Sequence, residues 1–297
     1  MAALKPPYPL ILNGLRGGRV VPFLGSGASL AARGTARTWT RESAEHLPSA
    51  GELAKHLAAM SQFPEDSGID LAAVAQYYGV VAGRTALRQE LNAIFDGDFA
   101  FGPLHEFLAS IPHPMLIVTT NYDDLLERAF QAQNRPFDIV VHTTDEDLGD
   151  RLLLLRHGET KPTPVNPNKL DLDLTATSVI YKMHGAVDRR KLGSHQFVVS
   201  EDDYIDFLAR MTKRKAIPAM FAEPFETRHF LFLGYSLRDW NLRVVLNRLR
   251  HNLRGITSWS VQFQPSPLEV RIWQDRGVEV YDMTLDDFVQ QLTATQA

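Results

Sequence analysis

Residues 119–124 read Thr-Thr-Asn-Tyr-Asp-Asp and join an apolar run, Met115 to Val118, to a segment in which Leu125, Leu126, Ala129 and Phe130 recur at helical spacing. The pattern predicts a strand, a polar turn and a helix, with Asp123, Asp124 and Glu127 towards the positive end of the helix dipole. Ligands of open α/β sheets collect beyond the carboxyl ends of the strands, so Thr120, Asn121 and Asp123 face a cleft on this reading. Taken alone, capping of the helix by Thr120 or Asn121 is the simpler account. A second chemically capable group follows the apolar run Thr177 to Met183, where His184-Gly185 stands. An imidazole at the end of a buried strand, with a glycine leaving space beside it, is placed to transfer a proton. A single histidine of this kind is otherwise a structural group held by backbone partners.

Two small-residue turns accompany them. Gly18 to Leu24 predicts a first strand, and Gly25-Ser26-Gly27-Ala28-Ser29 follows it directly. Consecutive small residues let a backbone turn sharply and approach a ligand, and a following helix directs N–H groups at a phosphate. The spacing is neither GxGxxG nor a P-loop, since no lysine follows the glycines; a tight turn without phosphate contact fits equally well. Phe230 to Leu233 predicts a later strand, closed by Gly234-Tyr-Ser-Leu, where Ser236 can give or accept a hydrogen bond. A rival signal is Arg156-His157-Gly158-Glu159 after the run Leu152 to Leu155. It resembles the histidine-phosphatase signature, which implies a nucleophilic imidazole in a phosphate pocket. In that family the motif usually opens the domain, whereas more than half of this chain precedes it, and Met183-His184-Gly185 is the candidate second His-Gly.

The elements that must position these groups alternate between strand and helix, which predicts an α/β, Rossmann-like, doubly wound and mostly parallel sheet. Residues 34–102 change texture. Gly51 to Leu57, Asp70 to Tyr78 and Ala86 to Phe95 each carry an apolar helical face, predicting a helical insertion after the first βα unit that forms one wall of a cleft. Gly79 and Gly83 are expected to break it. Leu104, Phe107 and Leu108 begin another helix, on which His105 reads as structural. Phe137 to His142 predicts a strand, Lys161 to Asn168 a proline-rich loop, and Gln196 to Val199 a strand before an N-capped helix from Ser200. Helices over 242–249 and 285–292 and strands over 258–263 and 278–281 complete the chain.

The 297 residues are expected to form one domain. With 35 acidic and 31 basic residues, net charge −4, overall charge does not point to a nucleic-acid surface. The absence of cysteine excludes disulfides, thiolate zinc sites and cysteine nucleophiles, and no metal is expected. No uncharged stretch is long enough to cross a bilayer and the start does not read as a signal peptide, so a cytoplasmic location is expected.

Four features in order resemble the SIR2 (sirtuin-like) superfamily. Gly25-Ser-Gly-Ala-Ser29 stands for its Gly-Ala-Gly-x-Ser, Thr120-Asn-Tyr-Asp123 for its Gln-Asn-Ile-Asp, Lys182-Met-His-Gly185 for its His-Gly, and Gly234-Tyr-Ser-Leu237 for its Gly-x-Ser-Leu. The set spans nearly the whole chain. Sirtuin deacylases carry a four-cysteine zinc ribbon that this chain lacks, and their Asp-Phe-Arg motif is replaced by residues 31–39. The chain looks more like bacterial anti-phage SIR2-like proteins, which implies an NAD+ hydrolase that depletes the cofactor, NAD+ being its substrate. The resemblance implies Asn121 on the nicotinamide ribose or the attacking water, Asp123 at the nicotinamide end and His184 as general base. It also implies Gly25, Ser26, Gly27 and Ser29 at the pyrophosphate, Gly234 and Ser236 at the adenosine side, and Thr120 as a further cofactor-binding residue. A toxic hydrolase must be kept silent, and the catalytic domain is expected to use up the chain. Regulation is therefore expected through a homo-oligomer or a partner such as a HerA-type ATPase or a short Argonaute. A non-catalytic module sensing NAD or ADP-ribose is the alternative of a different class.

Overall fold

Continuous apolar runs without polar alternation are the signature of strands covered on both faces, and they build the centre of this protein. The computed structural model describes residues 5–30, 33, 38–42, 45–64, 68–143, 146–187, 196–212, 217–235 and 256–295. Strand β1 (Val20–Leu24) lies between β2 (Leu116–Thr119) and β9 (His229–Leu233), parallel to both. Beyond β2 follow β6 (Ser178–Lys182) and β3 (Phe137–Val141), and beyond β9 follow β10 (Ser258–Gln262) and β11 (Val278–Asp282), all parallel. Two antiparallel edge strands, β4 (Leu152–Leu155) and β5 (Thr163–Val165), complete the nine-stranded sheet, and β7 (Gly185–Ala186) pairs antiparallel with β8 (Gln196–Phe197) outside it. The architecture is the mostly parallel, Rossmann-like α/β sheet that the alternation predicts.

Side chains alternate between the two faces. Val21 and Phe23 join Val118, Tyr181, Phe230 and Phe232 in one buried cluster. That cluster is closed by α8 (Glu201–Thr212), α9 (Ala222–Thr227) and α10 (Pro267–Gln274) through Phe207, Phe225 and Trp273. Val20 and Leu24 join Ile117, Ile180 and Leu233 on the other face. There the cover is α1 (Tyr8–Arg16), α6 (Pro103–Ser110), α7 (Leu125–Ala132) and α11 (Leu285–Ala294). Pro22 sits in this central strand although it donates no hydrogen bond. Its nitrogen falls on the side of β2, whose ladder with β1 starts one residue later, at Phe23 and Val118.

Between β1 and β2 stand α2 (Ser26–Leu30), α3 (Ala50–Ser61), α4 (Leu71–Val81) and α5 (Arg84–Phe95). The last three bury Leu57, Val74, Leu91 and Phe95 in a third cluster that reaches Tyr122 and Phe197. Ser49 and Glu52 form a capping box at the start of α3, and Asp70 caps α4. His105 accepts the Gly102 N–H at the start of α6.

Several local expectations change. Gly79 lies inside α4, and the break falls at Gly83, which has φ +94°. Gly25 to Ser29 is not a loop ahead of a helix: the helix begins at Ser26. The segment from Lys161 to Asn168 is partly strand, because Pro164 lies on the outermost strand, where one side of the backbone needs no ladder partner. Helices α1 and α10 are not among the predicted elements, although each carries a proline in its first turn, where proline is favoured. The expected helix over 242–249 lies outside the described residues.

Candidate active site

Four parallel strands end side by side, and the residues that follow them meet. After β1 come Gly25 and α2, after β2 the turn 120–124, after β6 Met183 and His184, and after β9 Gly234 and Tyr235. The chain leaves β1 towards β2 on one side and returns through β9 on the other, the topological switch at which open α/β sheets bind ligands. A cavity of about 330 Å³ opens there, at the small end of ligand sites. Gly25, Ser26, Ser29, Thr120, Asn121, Asp123 and His184 line it, so both candidate catalytic groups share one space.

Hydrogen bonds set the turn. The Thr120 N–H donates to the Leu24 carbonyl (3.1 Å), and the Asn121 N–H to the Thr119 hydroxyl (3.0 Å). The Asn121 carboxamide nitrogen donates to the Gly25 carbonyl (2.9 Å) and to the Ser29 hydroxyl (2.9 Å). Ser29 in turn donates to the Asp123 carboxylate (2.7 Å), whose other oxygen accepts the Leu125 N–H (3.2 Å). Asn121, Ser29 and Asp123 thus form one relay between α2 and the β2 turn. Neither Thr120 nor Asn121 caps α7; Asp124 holds that position without a side-chain cap bond.

Part of the cavity wall comes from residues 47–95: Leu47, Pro48, Leu53, Leu71 and Phe95, with Asp70 at the start of α4. Glu52 ties this wall down by accepting from Arg33 (2.6 Å), the Trp39 N–H (2.8 Å) and the Ser49 N–H (2.9 Å), and Arg33 foremost holds its carboxyl well below the usual carboxylate range. Tyr204 and Tyr235 also line the cavity, and sequence reasoning assigned them no role. Of the described residues lining it, the carboxylates are Asp70 and Asp123, and none is lysine or arginine. No group of three or more His, Asp or Glu side chains suited to a metal ion is found among the described residues.

The His184 ring packs edge-on to Tyr204 (5.4 Å) and Phe207 (5.6 Å), while its carbonyl accepts the Val198 N–H (2.9 Å). Phe207 also meets the ring of His142 edge-on at 4.9 Å. Burial first, then nearby Arg210 and His184, push the His142 imidazole down to about 3, and its Nδ1 is buried without a partner among the described residues. The unfolded chain protonates this group near 6.5. Its stabilising contribution is therefore complete above about pH 6.5 and is lost towards pH 3, by about 1.4 kcal/mol per pH unit inside that window. Thermal midpoints measured from neutral to mildly acid pH should fall less steeply for His142→Gln than for the parent; parallel curves would contradict this.

Other predicted residues have different surroundings. Gly27 does not line the cavity: its N–H donates to the Gly234 carbonyl (2.8 Å), and a Cβ there would lie 2.7 Å from that oxygen. The Gly25 N–H is likewise engaged, with the Leu233 carbonyl (3.0 Å). Gly234, at φ +64°, packs against Gly27 and Ala28 and is not among the residues lining the cavity, and Ser236 lies outside the described residues. Arg156, His157 and Gly158 line a separate pocket beside Arg135 at the β3–β4 end of the sheet, and His184 is not part of it. The two His-Gly pairs are therefore not parts of one phosphate pocket.

The family model of the SIR2-like domain matches residues 115–281, more than half of the chain. Defense-associated sirtuin 2 of Bacillus subtilis is 22% identical over 214 residues, covering 70% of this chain and 18% of its own length. The NAD(+) hydrolase ThsA of Enterococcus faecium is 30% identical over 192 residues, 62% of this chain and 33% of its own. The NAD(+) hydrolase ThsA of Acinetobacter baumannii (strain 532279) is 28% identical over 209 residues, 67% of this chain and 35% of its own. The match thus spans about a fifth to a third of the length of these relatives.

Proposed function

The chain belongs to the SIR2-like domain family, and from that premise we propose that it hydrolyses NAD+ between nicotinamide and ribose, as part of a bacterial anti-phage defence that depletes the cofactor. Relatives named NAD(+) hydrolase and defense-associated sirtuin support the reading. The observation that carries it is the cavity itself: Asn121 and His184 line it together with two carboxylates, without lysine or arginine among the described lining residues. Nicotinamide in NAD+ is positively charged and leaves as a neutral ring, and the ribose passes through an oxocarbenium-like state. The negative and dipolar groups among the described lining residues favour that charge.

In this scheme Asp123, set by Ser29, positions the nicotinamide end. Asn121 orients the ribose or the attacking water. Water adds to the anomeric carbon as the bond to nicotinamide breaks, and its proton passes to His184, leaving ADP-ribose. Gly25, Ser26 and Ser29 bound the pyrophosphate side. Because such turnover is toxic to its host, the scheme includes control by assembly, as a homo-oligomer or with a HerA-type ATPase or short-Argonaute-type partner. High turnover by a monomer, seen by light scattering with an NAD+ assay, would remove that part.

The test is incubation of the purified chain with NAD+ and identification of products, alone and with candidate partners. Nicotinamide and ADP-ribose in equal amounts are expected. Tight binding without nicotinamide release would replace the hydrolase by a sensor of NAD or ADP-ribose. His157→Ala should leave the rate unchanged, since that ring lines a different pocket; loss of turnover there would revive the phosphatase-like motif.

A further inference from the structure

The last residue of β6 is a lysine in an otherwise apolar or small-residue strand, and it is 2% exposed. The Lys182 ammonium donates to the Glu127 carboxylate (2.8 Å) and to the backbone carbonyl of Asp123. Burying two charges is costly even when they pair, and an apolar pair of similar volume commonly serves stability as well. What such a pair does not supply is a donor for the Asp123 carbonyl, which lies in a turn without regular secondary structure. We infer that Lys182 is a positioning residue: from two places before His184 it clamps the turn that carries Asn121 and Asp123, and so sets the spacing of the groups on the two sides of the cavity.

The geometry makes the brace rigid at both ends. Backbone bonds on either side hold the strand end, His142 N–H to the Lys182 carbonyl (3.0 Å) and Met183 N–H to the Thr119 carbonyl (2.9 Å). At the far end, Asp123 is held through its carbonyl by Lys182 and through its carboxylate by Ser29 and the Leu125 N–H. Glu127 offsets the ammonium, so the clamp does not place an uncompensated positive charge under a site proposed to stabilise a cationic transition state. One Glu127 oxygen is buried without a partner among the described residues, and burial foremost pushes its carboxyl upward against the pull of Lys182. Removing the lysine alone therefore strands this carboxyl, whereas removing both groups does not.

This assignment rests on the proposed NAD+ cleavage, and the experiment separates the two. Lys182→Met should lower the thermal midpoint and reduce kcat by roughly tenfold or more, the scale of loss that slight misplacement of reacting groups produces, with a smaller change in KM. In the double variant Lys182→Met/Glu127→Leu the midpoint should recover while kcat stays low, because nothing then holds the Asp123 carbonyl. Recovery of both would make the pair merely structural and overturn the inference. If the double variant fails to fold, Glu127→Gln decides: it keeps the lysine, so a smaller loss of kcat than in Lys182→Met supports the clamp, and an equal loss refutes it. If the parent chain does not cleave NAD+, the proposed reaction falls and the clamp is read by hydrogen exchange. Faster exchange confined to peptides around residues 119–127 in Lys182→Met supports it, and unchanged exchange there overturns it.

Discussion

Asn121→Ala and His184→Ala should each lower NAD+ cleavage by roughly a thousandfold, the scale seen when a group acting on a developing charge or a proton is removed. The two variants should differ in stability. Asn121 donates to the Gly25 carbonyl and to the Ser29 hydroxyl, so its loss leaves one buried and one half-buried acceptor with one partner fewer, costing about 1–3 kcal/mol. The ring of His184 makes edge-on contacts with Tyr204 and Phe207 at the cavity boundary, and its truncation removes packing there. Asn121→Asp is the sharper probe, because it sets a carboxylate oxygen against the Gly25 carbonyl and should be less stable than Asn121→Ala. Product formation and thermal midpoints on the same samples check all three. Full turnover by both alanine variants would remove Asn121 and His184 from the mechanism.

Gly234→Ala should cost about 3 kcal/mol or more, in the range reserved for substitutions with a specific steric cause. Gly234 has φ +64°, and a Cβ there would lie 2.3 Å from the Ala28 nitrogen and 2.5 Å from the Gly27 carbonyl carbon. Both are backbone atoms, which cannot swing aside as a side chain would. The β9 turn would have to move off α2, breaking the bond from Gly27 N–H to the Gly234 carbonyl and displacing Ser29, which holds Asp123. Turnover should fall with stability. Gly158→Ala is the control: its φ is +81°, yet nothing lies within 4 Å of the added carbon. It should cost only the left-handed backbone penalty, about 1–2 kcal/mol. Equal losses by chemical denaturation would show that close approach of the two turns contributes nothing.

Much of the scaffold was legible because its signals are local. The runs around Val20 to Leu24, Leu116 to Thr119, Ser178 to Lys182 and His229 to Leu233 are apolar without alternation, which is what burial on both faces requires. Other local signals were present and went unread: Ser266-Pro-Leu-Glu269 is a capping box at the start of α10, and the prolines before α1 suit a first helical turn. Lys182 stood inside the quoted Lys-Met-His-Gly motif, but its partner Glu127 is 55 positions away. No spacing rule connects them.

Residue type and order were enough to establish that an amide and an acid follow one buried strand, an imidazole another and glycines two more. Tertiary structure decided that they meet. The β6 strand inserts between β2 and β3, and β9 returns to the far side of β1, so four strand ends that are remote in the chain become neighbours. Strand order depends on non-local pairing, and a strand carries no mark of which neighbour it will take. For the same reason only the fold shows that Ser29 links Asn121 to Asp123, and that a buried lysine lies under the turn they share.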